Sequence, residues 1–415
     1  MPYTLCLSGG GFRATLFHLG VIRRLIFLGI FDEVNRINSV SGGSIAAGAL
    51  MTQLSLSPFE SVEDFDRRVI RPVVEFIQSS PRGNIYRINP LRKNPQKFVE
   101  LLDSQLYKEK SFADLVPNPE WTCYATSLNS ALSWKFSQKE IGDSATGHTQ
   151  PFPRDKVAFG VAASACFPPL FKPIEFSTVD RSFVFKYMEG QLVNRTNPSP
   201  PNRILLTDGG VYDNLGSESV ITKGNEFIVS DASGITRHWR NDIPTFLSEV
   251  KRPVEISMDQ IGKLRRRLLF ERLMKSDRNV LVEAAKPISI YTSSENPQKV
   301  SPTPPDEMPT YPSFPVDFEK AIGEIRTDLN AFHDIEIQLL IWNGMVKVDA
   351  ALKRWVPSII NKAHWNDVPQ VKGIDVEEAM AILRAGREVK VWGRLHDKLH
   401  IDGRPRFVEQ ISELL

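Results

Sequence analysis

The sequence predicts an α/β fold: a mostly parallel sheet covered by helices on both faces. Two observations carry this. The chain opens with two strand–turn–helix units in succession, and apolar runs of strand length recur downstream between helical stretches.

Residues 3–7 (YTLCL) read as a buried strand. Gly9-Gly10-Gly11 turn the chain, and 12–28 read as a largely buried helix closed by Gly29. Residues 37–40 give a second strand and 43–54, rich in small residues, a second helix. Residues 56–118 are more polar and helical, broken at Pro81, Pro90 and Pro95. Residues 121–136 read as two strands around Asn129-Ser130. A helix over 156–165 ends before Phe167-Pro168-Pro169, and strands follow at 203–207 and 226–230. Residues 254–275 have helical periodicity, with Met258, Ile261, Leu264 and Leu268 on one face. A strand is expected at 287–291, and a Pro-rich loop at 297–315. A helix is expected over 318–342 and another at 376–383, with strand-like residues at 388–391. The expected organisation is one main domain over 1–345 and an appendage of mixed helix and strand over 346–415, too short for a comfortable core of its own.

Composition narrows the function class. The 415 residues carry a net charge of +2, so no global pull toward nucleic acid arises. Cys6, Cys123 and Cys166 lie far apart with no His/Cys cluster, which argues against a disulfide framework and a zinc site. The opening residues lack a charged segment followed by an apolar one, and no apolar run reaches ~18 residues, so neither a secretory signal nor a membrane span is expected. The expected location is the cytoplasm, with at most peripheral membrane contact. Residues 251–275 hold eight Lys/Arg against three acids, which reads either as a membrane-facing amphipathic helix or as a plain solvated face.

Three segments carry chemistry. Ser41, in Ser39-Val40-Ser41-Gly42-Gly43, sits where a strand turns into a helix, as a nucleophile elbow requires. The helix N-terminus favours a developing alkoxide there. Ser44 is a rival hydroxyl, and an ordinary N-cap serine is the plain reading of Ser41. Gly9-Gly10-Gly11 leave backbone amides approachable by an oxyanion or a phosphate. The spacing Gly9-x-Gly11-x-x-Ala14 also fits a dinucleotide turn, but the second strand ends in Ser41 rather than in an acid. Asp208, in Asp208-Gly209-Gly210, follows an apolar strand and is read as a carboxylate at a parallel strand's C-terminal end. A buried Asp208 beside Ser41 could take its proton directly. Asp213 and Asp231 are alternatives, and His238 is the histidine that a Ser-His-Asp enzyme would need. His18 reads as a core histidine.

Taken together and in this order, Gly9-Gly10-Gly11-Phe12-Arg13, Ser39-Val40-Ser41-Gly42-Gly43 and Asp208-Gly209-Gly210 resemble the patatin-like phospholipase family. Weaker likenesses are 125–129 with 134–137, 162–169, and 325–329 with Phe332, so the resemblance spans residues 3–345. Ser8, Ala14 and Ser39 stand where the family usually has Asp, Gly and Gly, and all three are small. The resemblance implies a three-layer α/β/α sandwich and a serine acyl hydrolase of phospholipase A or lysophospholipase type. It implies Ser41 as nucleophile, Asp208 as base, and an oxyanion hole from Gly9, Gly10, Gly11 and Arg13. Ser39, Gly43, Gly209 and Gly210 would support the elbow and the aspartate turn. It implies a glycerolipid substrate and neither metal nor cofactor. Against this stand a catalytically weak lipid- or partner-binding relative and a nucleotide-binding enzyme using the Gly9–Ala14 turn. Head group, acyl position and oligomeric state are not readable.

Overall fold

The computed structural model describes residues 2–79, 95–185, 200–234, 246–293 and 303–387. The opening units form as expected: β1 (Tyr3–Leu7), α1 (Gly11–Phe27), β2 (Val34–Val40) and α2 (Gly42–Leu54). β3 (Glu120–Ser127) and β4 (Ser133–Ser137) make the expected hairpin, continued by β5 (Ile141–Asp143) and β6 (Gly147–Thr149). Then come α3 (Val157–Ser164), β7 (Ile174–Ser177), β8 (Arg203–Asp208), α4 (Gly210–Asp213) and β9 (Phe227–Asp231). The described chain closes with α5 (Phe246–Leu273), β10 (Val280–Glu283), α6 (Val316–Gly323), α7 (Asp334–Trp355) and α8 (Val376–Arg387).

The strands join one mixed sheet in the order β10-β9-β1-β2-β3-β4-β5-β6. It is parallel from β10 to β3 and antiparallel beyond. Strand alternation divides the apolar side chains between two faces. Leu5 and Leu7 of β1, Ile228 of β9 and Val280 and Val282 of β10 join the large core with α1, α2 and α7. Their neighbours Cys6, Val229 and Leu281 join a smaller core with Leu269 and Leu273 of α5. Helices thus flank the sheet on both sides.

β8 is antiparallel to β3, not a parallel strand as expected. β4 occupies one edge of β3 over Thr122–Thr126, and β2 occupies the other up to Val40↔Tyr124. β8 pairs with Ala125, Thr126 and Ser127 on that second edge, taking the slot where β2 stops. The two strands therefore run toward each other, and the residues after Val40 meet the end of β8 at Asp208.

α1 is buried along most of its length because α7 lies across it. The helices touch backbone to backbone: a Cβ on Gly20 would collide with Ile341 O, and one on Gly344 with Phe17 O. Arg24 pairs with Asp349 at 2.6 Å and Lys353 with the same carboxylate at 2.9 Å. The boundary expected after residue 345 falls inside α7, which is buried on either side of it.

Three further expectations need correction. The helix expected over 318–342 is two helices, α6 and α7. His333 and Glu336 form a reciprocal cap that starts α7, and the intervening chain crosses to α1, where Ile325 O and Asp328 O accept from Arg13 and from the Phe12 amide. The strand expected at 287–291 is a short helical turn, Ser289–Thr292; the strand is β10, the Val280-Leu281-Val282 run just before it. In 254–275, Leu264 and Leu268 face solvent, while Leu269 and Leu273 pack inward. The strand-like 388–391 and His238 lie outside the described residues.

Candidate active site

Ser41 occupies a left-handed turn, φ 51 and ψ −119, between β2 and α2. Such backbone is costly for a non-glycine residue and needs support from its surroundings. The support is visible. The Ser41 amide donates to Ser164 Oγ at 2.8 Å, and Ser164 Oγ donates to Tyr124 O at 2.6 Å. Ser44 Oγ lies 3.0 Å from Ser164 Oγ and 2.9 Å from Ser39 Oγ, which accepts from the Trp121 indole at 2.8 Å. Ser44 is fully buried within this hydroxyl ladder, so the rival nucleophile is a structural serine. Ser39 does more than fit where a glycine would: it anchors Trp121.

Asp208 is 2% exposed. Its Oδ1 accepts from the Gly210 amide at 2.8 Å, and the Ser41 side chain lies near enough to its carboxyl to favour the ionised form. Burial outweighs both influences and raises its pKa to about 7. The alternative acids are committed elsewhere. Asp213 accepts from the amides of Leu215, Ser217 and Glu218. Asp231 is buried, yet its Arg266 partner, at 2.5 Å, holds it below the usual carboxylate range.

The glycine turn abuts Ser41. A Cβ on Gly9 would lie 3.1 Å from Ser41 Cβ, and one on Gly42 would collide with Gly11 O. Gly43 is as constrained, since a Cβ there would reach 2.7 Å from Ser8 O. The Gly9 amide donates to Asn214 O at 2.9 Å, so it is not an open donor. The amides of Gly10 and Gly11 have no hydrogen-bond partner among the described residues. Gly11, at φ 58, needs the freedom of a glycine, because a Cβ would also strike Thr327 O. Arg13 turns away from Ser41: its guanidinium donates to Ser233 O at 2.9 Å and Ile325 O at 3.1 Å, clamping the two chain segments behind the turn. Ser8, in place of the usual Asp, accepts from the Ala232 amide through Oγ at 2.8 Å.

His18 supports the same turn. Ser8 O can only accept, so Nε2 carries the proton and donates to it at 2.9 Å, while Nδ1 accepts from Ser230 Oγ at 2.8 Å. Burial lowers its pKa to about 4, so it is neutral at pH 7.

Sequence reasoning missed three participants. Ser164 joins both halves of the site, because its carbonyl also accepts from the Gly209 amide at 3.1 Å. Asn214 ties the glycine turn to the Asp208 turn: its carbonyl holds Gly9, its amide group donates to Ser233 Oγ at 2.8 Å, and its Oδ1 crowds Gly9 and Gly210. Met258 of α5 lies over Gly210, its methyl 2.8 Å from where a Cβ would stand. Asn214 follows the Asp-Gly-Gly turn closely enough to have been found; Ser164 and Met258 have no local signal.

A family model for patatin-like phospholipase matches residues 5–221, which contain Ser41, Asp208 and the glycine turn. The chain belongs to the patatin-like phospholipase family. No curated protein matches it. Among solved structures it is similar to human GIVD cytosolic phospholipase A2, at 12% identity and a TM-score of 0.42, over 93% of this chain and 62% of that one. The same human protein in complex with methyl gamma-linolenyl fluorophosphonate gives 14% and 0.44, over 93% and 60%. VipD from Legionella pneumophila gives 12% and 0.33, over 92% and 74%. The chain thus spans about 60% of the length of the human structures it matches. No helix among the described residues is long and apolar enough to cross a membrane.

Proposed function

We propose that this member is a serine acyl hydrolase of phospholipase A or lysophospholipase type, cleaving acyl esters of glycerolipids through Ser41 and Asp208. The observation that carries the reading is the buried carboxyl of Asp208, raised to about 7 beside a serine on a strained elbow. A base with a pKa near neutrality takes a proton well at neutral pH and returns it readily.

Ser41 Oγ attacks the ester carbonyl as its proton passes to Asp208. The negative charge on the former carbonyl oxygen is met by the Gly10 and Gly11 amides and the N-terminus of α2. The C–O bond to the glycerol oxygen breaks, and Asp208 gives its proton to the departing alcohol. A water molecule, its proton taken by Asp208, then attacks the acyl-serine. The carboxylic acid leaves, and Ser41 Oγ regains the proton. Arg13 and Ser39 act in this reading as supports for the turn and the elbow. Contact with a membrane surface through residues 251–275 is part of the proposal, as is action at the cytoplasmic side.

The test is release of fatty acid from phospholipid vesicles and of fluorophore from a short-chain ester, by wild type, Ser41→Ala and Asp208→Asn, with folding checked by circular dichroism. Turnover by wild type alone is expected. Activity retained in folded Ser41→Ala would refute the assignment of the nucleophile.

A further inference from the structure

α5 is the wall of the site that also faces outward. Its inner side is fixed to the body of the protein. Arg266 pairs with Asp231 and Arg265 lies over Tyr212, while Arg272 donates to Ile221 O and Asn225 O. Leu269 and Leu273 fill the smaller core, and Met258 reaches Gly210 beside Asp208. Three arginines that look in sequence like a binding charge are therefore the helix's own anchors.

The opposite side is apolar where a solvated helix would be polar. Leu264 is 56% and Leu268 43% exposed, and Ile256, Phe270 and, just past the helix end, Met274 are exposed with them. At ~100° per residue these five share an arc of ~160° centred opposite Leu269 and Leu273. Exposed Lys263, Arg267 and Lys275 lie on the same arc, with the acids Glu249 and Glu271 among them. Asp259 answers Lys263 at 2.7 Å from the edge of the arc. Bulky apolar side chains with interspersed cations are the make-up of a helix that lies in a membrane interface: the apolar groups enter the acyl boundary and the cations meet anionic headgroups.

We infer that the outward face of α5 is a docking surface for a phospholipid bilayer bearing anionic headgroups, and that the helix seats the Ser41–Asp208 site against the lipid it faces. The inference deepens the proposed function and rests on it for the substrate, while the docking itself stands on the exposed face alone. Because Met258 lies on the inner side of this helix, the lipid surface and the site are separated by the thickness of one helix.

The experiment is co-sedimentation of the full chain with phosphatidylcholine vesicles, with and without phosphatidylglycerol. It compares wild type, Ser41→Ala, the pair Leu264→Glu/Leu268→Glu and the pair Arg267→Glu/Lys275→Glu. Both pairs replace exposed side chains, so folding is expected to survive and is checked by melting. Wild type and Ser41→Ala should bind alike and prefer the phosphatidylglycerol vesicles. The leucine pair should lose at least ~10-fold in partition, and the basic pair should lose the preference for phosphatidylglycerol. Both should keep wild-type turnover of a soluble short-chain ester within ~2-fold, since neither touches the site. Unchanged vesicle binding by the leucine pair, or no binding by wild type, overturns the inference. A wild-type dimer that the leucine pair dissociates also overturns it, by giving the face to a second copy. If α5-dependent binding occurs with no ester turnover, the hydrolase reading fails and the docking surface remains.

Discussion

Replacing Asp208 by Asn should stabilise the protein, and increasingly so as pH rises. Burial raises the Asp208 carboxyl from 3.8 to about 7, so the folded chain holds a proton that the unfolded chain releases. At ~1.4 kcal/mol per pH unit this amounts to about 4 kcal/mol against the ionised form. The unfolded state binds fewer protons between these two values, so stability falls with rising pH across that window. The contribution is complete below about pH 4, declines as pH rises through about 7, and is absent above it. Asn keeps an acceptor for the Gly210 amide and carries no charge. Asp208→Asn should therefore melt close to wild type near pH 4 and several degrees higher above about pH 8. Thermal melts of both proteins across that range give the difference directly, since all other groups titrate alike. A difference independent of pH, or a wild type more stable than the variant in alkaline solution, would refute the argument. Wild-type kcat/KM for a soluble ester should rise through an apparent pKa of about 7, the value the structure gives the same carboxyl.

Other expectations follow from the same geometry. Ser164→Ala strips the partner from the Ser41 amide and should cost about 1–3 kcal/mol of stability; it should lower kcat by ~10-fold or more while KM moves little, because the elbow loosens without touching substrate. Gly11→Ala forces a Cβ against the Thr327 and Asp328 carbonyls and should cost activity and several kcal/mol of stability, read by melting and ester assay. Arg266→Met leaves Asp231 buried without its cation and should destabilise by about 3–5 kcal/mol; adding Asp231→Asn should recover much of that loss in chemical unfolding. Gly344→Val, where Gly344 lies against Phe17 O, should separate α1 from α7 and give little soluble protein.

Much of the candidate site was legible in the sequence because its parts are local. A strand ending in small residues before a helix announces an elbow wherever it occurs, and Ser41 and the glycine turn belong to that class. Ser39 looked like a tolerated substitution, yet its hydroxyl holds Trp121, and nothing near residue 39 points to residue 121. The basic character of 251–275 was visible, but which arginines anchor the helix and which charges face out depends on where Asp231, Tyr212 and the sheet lie.

The opening β–α–β–α units, the nucleophile candidate and the glycine turn beside it each follow from periodicity and from small residues within a few positions of one another. That Asp208, rather than Asp213 or Asp231, comes to Ser41 depends on how distant strands pair. β8 enters the sheet from the opposite direction in the slot where β2 ends, and the pairing of distant strands leaves no periodic mark in the chain. Burial then does the rest: the same carboxyl in solvent would be an ordinary aspartate, and enclosed at the meeting of two strand ends its pKa rises to about 7.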